Sequence, residues 1–441
     1  MDRRQFITRA GLGAATAGLG TVTAAGAAAA AETPSDSGPT AQGTDAGRAV
    51  LTGAQQWAAD GWTALSGYRV GVISNPTGIL IDASHIVDSM VASEAVDIAG
   101  VFGPEHGFRG SAQAGEAEET TSDPRTGVTV YDAYGAQEAG FMRMFAEAGV
   151  EVVVFDIQDV GARFYTYIWT MWSAMRAAAR MDLKFVVLDR PNPIGGTAAG
   201  PMLFPGYESG IGQRYIVQQH GMTVGELAQL FNAEFLPDDA GAVVEDLEIV
   251  ELRRWRPDSR YADTGLPWVL PSPNMPTPDT AQVYVGTCLF EGTTSSEGRG
   301  TTRPFELIGA PYGTYHWADD LNAAELPGVD FREAYFVPTI SKHIGKVCGG
   351  VQLHVTDPDA FDPIRTGVTM LTTLKHLYPN DFSWRGGGTS DGFIHLLHGS
   401  DRLRIMVDAG ASADEIVASW QDELAEFDQL RQQYLLYRGR R

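Results

Sequence analysis

The segment Val150-Glu151-Val152-Val153-Val154-Phe155 most constrains what this chain can fold into. A nearly continuous apolar run this short, rich in β-branched residues, suits a parallel strand covered on both faces. Similar runs lie at Tyr68–Ile73, Val96–Phe102, Phe185–Leu188, Leu247–Leu252 and Val283–Leu289. Between them, helical patterning covers His85–Ser93, Glu138–Ala148, Tyr167–Met181 and Val224–Glu234. Strands alternating with helices predict an α/β fold with a doubly wound, Rossmann-like sheet over residues 47–310. The texture then changes. Strands at Ala334–Ile340 and Val347–Thr356, with helices at Phe361–Leu377 and Ala413–Gln433, predict a smaller C-terminal α+β domain over residues 311–441. The last helix carries Ile416, Trp420, Leu424 and Phe427 on one stripe.

The N-terminus reads as an address. Arg3-Arg4 followed by a Gly/Ala-rich stretch predicts a twin-arginine signal peptide over residues 1–31, with small residues for cleavage before Glu32. No strand precedes Gly11, Gly13 and Gly18, so they do not form a nucleotide loop. Residues 32–46 read as a flexible linker. The expected location is extracytoplasmic. No cysteine lies near the leader to carry a lipid anchor, and no later apolar run is long enough to span a membrane. Cys288 and Cys348, the only cysteines, either pair after export or stay as buried thiols. The net charge of −23 becomes two units more negative once Asp2, Arg3, Arg4 and Arg9 leave with the leader. That balance opposes binding to nucleic acid or to an anionic membrane. Neither the composition nor the spacing sets an oligomeric state.

In open α/β sheets, ligands bind beyond the carboxyl ends of the strands. The polar residues collect there: Asn75 after the first strand, Glu105, His106 and Arg109 after the second, and Asp156, Gln158, Arg163 and Tyr165 after the central one. Asp189 and Asn192 follow the next strand, and Glu291, Glu297, Arg299, Arg303 and Glu306 follow the last. Carboxyl groups that converge on one crevice can share acid–base work, one protonating a leaving oxygen and one attacking or activating water. Glu105 is the first choice, because Gly103, Pro104 and Gly107 fix a tight turn around it. Its plain alternative is a salt bridge with Arg109. His106 either orients Glu105 or binds a substrate hydroxyl, or is simply structural. For the second carboxylate, Glu297 ranks just ahead of Asp156. Glu116, Glu291 and Glu306 also lie on suitable loops, Glu116 as a lid residue or a solvated acid.

Other chemistries fit less well. The sequence has no Gly-x-Ser-x-Gly elbow and no Gly-x-x-x-x-Gly-Lys loop. His395 and His398 near Asp391 suit a surface helix better than a metal site, and no metal or cofactor is expected. Tyr165 and Tyr167 are the stacking candidates, whereas Trp169 and Trp172 read as core.

The segments Gly103–Gly110, Phe155–Tyr167, Val187–Gly196, His220–Glu226, Pro271–Pro276 and Gly286–Glu306 occur together and in order. In them the chain resembles the exo-acting β-N-acetylmuramidases, a glycoside hydrolase family formerly classed as a domain of unknown function. The resemblance runs from about Val70 to Tyr437. It implies a Rossmann-like catalytic domain with a smaller C-terminal domain. The implied activity is release of N-acetylmuramic acid from the non-reducing end of peptidoglycan fragments, with Glu105 favoured as catalytic. Arg163, Arg299 and Arg303 are then the candidates to receive the lactyl carboxylate of the sugar, since Arg grips a carboxylate with two parallel hydrogen bonds. The rival readings are a non-catalytic wall-glycan binder and a metal-dependent hydrolase or deacetylase.

Overall fold

The computed structural model describes residues 49–110, 119–386 and 392–438. The leader, the linker, Glu116 and Asp391 fall outside the described residues. The strands in chain order are β1 (Arg69–Ser74), β2 (Asp97–Gly103), β3 (Thr121–Ser122), β4 (Thr129–Asp132), β5 (Val152–Asp156) and β6 (Lys184–Leu188). They continue with β7 (Ala199–Met202), β8 (Val217–Gln219), β9 (Leu247–Val250), β10 (Leu307–Ala310), β11 (Val329–Phe336) and β12 (Cys348–Val355). Seven of them form one sheet in the order β3-β4-β2-β1-β5-β6-β9. All neighbours are parallel except the β3–β4 pair. From β1 the chain winds outward first through β2 and then, starting again at β5, in the opposite direction. The switch point therefore lies between β1 and β5, where a doubly wound sheet opens its crevice.

The period of two explains the burial. On β5, Val152 and Val154 join Val70, Val72 and Val101 on one face, while Val153 and Phe155 join Ile73 and Phe102 on the other. Helices α1 (Gly53–Ala59) and α2 (Ile86–Ser93) cover the first face through Ala54, Ile86, Val87 and Met90. The other is covered by α3 (Glu138–Ala148), α4 (Tyr167–Met181) and α5 (Val224–Leu230), the last continuing through a π-helical turn, Phe231–Phe235, into α6 (Leu236–Ala240). Burying the α4 aromatic pair on this face keeps Trp172 out of solvent altogether and stacks Trp169 on Phe231 at 5.6 Å.

Val283–Leu289 is not a strand. It lies in α7 (Pro278–Thr287) and the 3-10 turn Cys288–Gly292. Thr277 caps the helix by accepting from the Thr280 amide, and Pro278 takes the first position. Both are helix-start signals that outweigh the β-branched composition behind them. The later residues form α8 (His316–Ala323), α9 (Pro363–Leu377), α10 (Phe393–His398), α11 (Arg402–Asp408), α12 (Ala413–Ala418) and α13 (Gln421–Arg431), with a three-stranded antiparallel sheet ordered β10-β12-β11. The expected terminal helix is thus broken in two at Ser419-Trp420. Helices α7 and α9 cross on glycine: a Cβ on Gly286 would sit 1.8 Å from the Pro363 carbonyl oxygen, and one on Gly367 2.4 Å from the Gly286 carbonyl. Beyond α13 the chain returns to the large sheet. The Tyr437 hydroxyl donates to Asp189 Oδ2 at 2.7 Å and accepts from the Leu252 amide at 2.8 Å. The Leu436 amide donates to Glu226 at 2.8 Å.

The two free cysteines are buried, Cys288 beside the turn after α7 and Cys348 at the start of β12. No helix among the described residues is long and apolar enough to cross a membrane.

Candidate active site

Above the carboxyl ends of β2, β4 and β5 lies a pocket of about 340 Å³, within the usual size of small-molecule sites. Its first wall is the loop after β2. Gly107 sits at φ 75° and donates to the Pro104 carbonyl at 2.9 Å, closing a turn with Glu105 and His106 at its centre. His106 itself holds φ 71°, an uncommon value for a side chain of this kind and one that recurs where backbone strain serves a site. Gly103 has no room for a Cβ, which would meet the Phe108 nitrogen at 2.8 Å. Glu105 Oε2 accepts from the Thr166 hydroxyl at 2.8 Å, and Tyr167 packs its hydroxyl against the Glu105 carbonyl and the Pro271 carbonyl. Burial raises the Tyr134 hydroxyl above its ordinary pKa, and the Glu105 charge adds to that.

The second wall comes from the turn after α7. Arg299 Nε and Nη2 both donate to Glu291 Oε1, at 3.0 and 2.7 Å. Its Nη1 makes no hydrogen bond among the described residues, and the guanidinium lies 5.1 Å from the Phe305 ring. Burial disfavours the Arg299 charge, yet Glu291 beside it holds the group more firmly protonated than usual. Cys288 donates its thiol to the other Glu291 oxygen at 3.3 Å, and burial pushes that thiol far above its ordinary range. Tyr284 and Tyr165 stand between the walls, their rings edge to face at 5.8 Å.

Of the residues singled out in the sequence, the pocket brings together Glu105, His106, Tyr165, Glu291 and Arg299. The remainder lie elsewhere, for identifiable reasons. Asp156 is fully buried in a two-pronged ion pair with Arg190, at 2.5 and 2.8 Å, which removes it from substrate reach. Glu297 is 2 % exposed behind Lys342 at 2.7 Å and Arg299 at 3.4 Å. Arg163 is wholly buried and satisfies the carbonyls of Pro201, Ile216 and Leu397, so it grips no substrate carboxylate. Arg303 is half exposed against Glu306. Arg109 reaches Asp88 and Asp123 rather than Glu105. Asn75, Gln158, Asp189 and Asn192 are buried and bind neighbouring backbone or hydroxyl groups: Asn75 Oδ1 takes Thr77, Gln158 Nε2 the Pro191 carbonyl, Asp189 Thr223 and Asn192 the Met222 carbonyl. His395 pairs with Arg404, and buried His398 with Ser400. Among the described residues no group of three potential ligands could hold a metal ion.

The sequence reading passed over Thr166, Ser173, Gly210, Ile211, Gln213 and Ser272, all of which line the pocket. Tyr284 was out of view because its segment read as a strand. The Thr277-Pro278 start signal was the clue to it.

Two family models match the chain. The exo-beta-N-acetylmuramidase NamZ N-terminal model covers residues 70–279 and the NamZ C-terminal model residues 282–437, so the two meet within α7. The chain is 45 % identical over 390 residues to a Bacillus subtilis (strain 168) protein named peptidoglycan beta-N-acetylmuramidase NamZ, covering 88 % of this chain and 91 % of that one. Two crystal structures of DUF1343 family proteins from Bacteroides fragilis are also similar. One has a TM-score of 0.79 at 31 % identity, covering 89 % of this chain and all of the other; the second has 0.70 at 32 %, covering 89 % and 99 %.

Proposed function

Because the chain belongs to the exo-β-N-acetylmuramidase NamZ family and is a glycoside hydrolase, we propose that Glu105 and Glu291 are its working carboxyl pair on terminal, non-reducing N-acetylmuramic acid of peptidoglycan fragments. The observation that carries this reading is that these two glutamates line one pocket from opposite loops while differing in surroundings. Glu105 meets a neutral hydroxyl, Thr166, which steadies one oxygen and leaves the other for substrate. Glu291 is instead paired with the Arg299 guanidinium at 2.7 Å. Two carboxyls with such different neighbours can take the two different roles that glycoside cleavage needs. Glu105 therefore delivers the proton to the leaving oxygen, and Glu291 faces the positive charge that develops on the sugar ring. Arg299 Nη1 receives the lactyl carboxylate. We also propose the leader-directed, extracytoplasmic location, since the substrate lies outside the cytoplasm.

The test is Glu105→Gln assayed on a chromogenic β-N-acetylmuramoside. Acid assistance contributes about 10²–10⁴ in rate, and a folded variant should lose that much of kcat. Full activity in that variant would return the proton-donor role to another group. A wild-type protein that bound the glycoside without product would favour a wall-glycan binder instead.

A further inference from the structure

The pocket extends past the glutamates along α4. Thr166, Thr170 and Ser173 all line it. Their spacing of four and three residues puts them on one face of successive turns, so this wall runs on the order of 10 Å from the Glu105 contact. Trp169, Ile211 and Gln213 complete it. Ser173 is 1 % exposed, and its hydroxyl has no hydrogen-bond partner among the described residues. A helical serine ordinarily turns back to the carbonyl four residues earlier; this one does not. Tyr165 is 8 % exposed, and its hydroxyl likewise makes no well-formed hydrogen bond among the described residues, although the Ser272 side chain lies close enough to act on it. Leaving a buried hydroxyl without a partner is costly, and such exceptions call for an explanation. Two in the lining of one pocket are explained by a ligand that completes them.

The chemistry of that ligand follows from the lining. The cation for an acidic substituent, Arg299, belongs to the Glu291 wall, and among the described residues no Lys or other Arg lines the pocket. Hydroxyls beside Trp169 and Ile211 suit a small neutral group with a donor, an acceptor and an apolar end. A secondary amide with a methyl group has all three. We propose that the α4 wall is the receptor for the 2-acetamido group of the terminal sugar, with the Ser173 hydroxyl and the Tyr165 hydroxyl as its hydrogen-bond partners. The assignment rests on the muramidase reading and makes these two residues determinants of specificity rather than of proton transfer.

Two chromogenic substrates separate the possibilities: the β-N-acetylmuramoside, and its analogue with a hydroxyl in place of the acetamido group. Ser173→Ala and Tyr165→Phe should each lower kcat/KM on the first by about three- to tenfold, the worth of one neutral hydrogen bond, and leave the second within about twofold. Equal losses on both, or no loss on either, overturn the assignment while leaving the muramidase reading intact. A calorimetric titration of the wild-type protein, which needs no variant to fold, compares free N-acetylmuramic acid with 3-O-lactyl-glucose. The N-acetyl sugar should bind at least about tenfold more tightly; equal affinities, or binding of neither, overturn the proposal. Failure to turn over either glycoside would instead strike the muramidase reading, and the titration would still decide the acetamido receptor.

Discussion

At the scale of single residues, the three candidate arginines show what a sequence leaves open. Arg163, Arg299 and Arg303 all follow strand- or loop-ends in segments of similar polarity. Only folding distinguishes them: one is spent on three carbonyls, one sits half exposed on Glu306, and one lines the pocket. The prediction accordingly narrows to Arg299. Replacing it by Lys removes the planar fork and should cost about 1.5–3 kcal/mol toward β-muramosides. The lost fork on Glu291 slows both sugars alike, so β-N-acetylglucosaminides, which lack the lactyl group, should lose clearly less than β-muramosides; equal losses on the two would leave Arg299 a support for Glu291 alone. Glu105 was legible because its cue is local, a Gly-Pro-Glu-His-Gly turn. Glu297 was not. Its isolation between Ser296 and Gly298 suggested a free acid, but its partner Lys342 lies on the distant connection between β11 and β12, and nothing in the neighbouring residues signals that pairing.

At the scale of elements, the strands of the large sheet were legible because burial on both faces leaves a strong apolar run. The ends of α3 and α4 were legible because of their periodicity, and α3 also stops at Gly149, held at φ 67°. The short strands β3 and β4, at one side of the sheet, were missed, since two to four residues carry no usable period. The misread element, α7, is instructive because its β-like composition is tertiary in origin. Val283 and Val285 are buried in the main core, and Gly286 exists for the crossing with α9. Adding one methyl there drives it into backbone, not into a flexible side chain. Gly286→Ala should therefore destabilise the fold by about 3 kcal/mol or more, read as a lowered midpoint in thermal or urea unfolding. Because the turn after α7 carries Glu291, the surviving folded fraction should also show reduced kcat. An unchanged midpoint would mean that the two helices can separate freely.

At the scale of the whole molecule, the acids that matter for stability are two buried ones, not the exposed majority behind the net charge of −23. Burial raises Asp189 to about 6, partly offset by hydrogen bonds from Tyr437, Gly225 and Thr223. Burial raises Glu226 to about 7, with the Asp189 charge adding to it. Both folded values exceed the ordinary 3.8 and 4.5, so the native state holds protons that the unfolded chain has released. The contribution is fully present below the ordinary carboxylate range and is lost as the pH rises through about 6 to 7. Urea midpoints should fall between pH 5 and pH 8, and Glu226→Gln should flatten that slope whatever it does to the midpoint itself. A slope identical to wild type would show that Glu226 titrates normally. The same two acids receive Tyr437 and Leu436, and this fastening has a consequence in time. Tyr437 is synthesised after every described strand and helix, so a nascent chain cannot make this fastening while residue 437 is still inside the ribosome. A copy cut short before Tyr437 would leave Asp189 and the Leu252 amide without this partner, an open latch to whatever machinery inspects new proteins before they are released to their work.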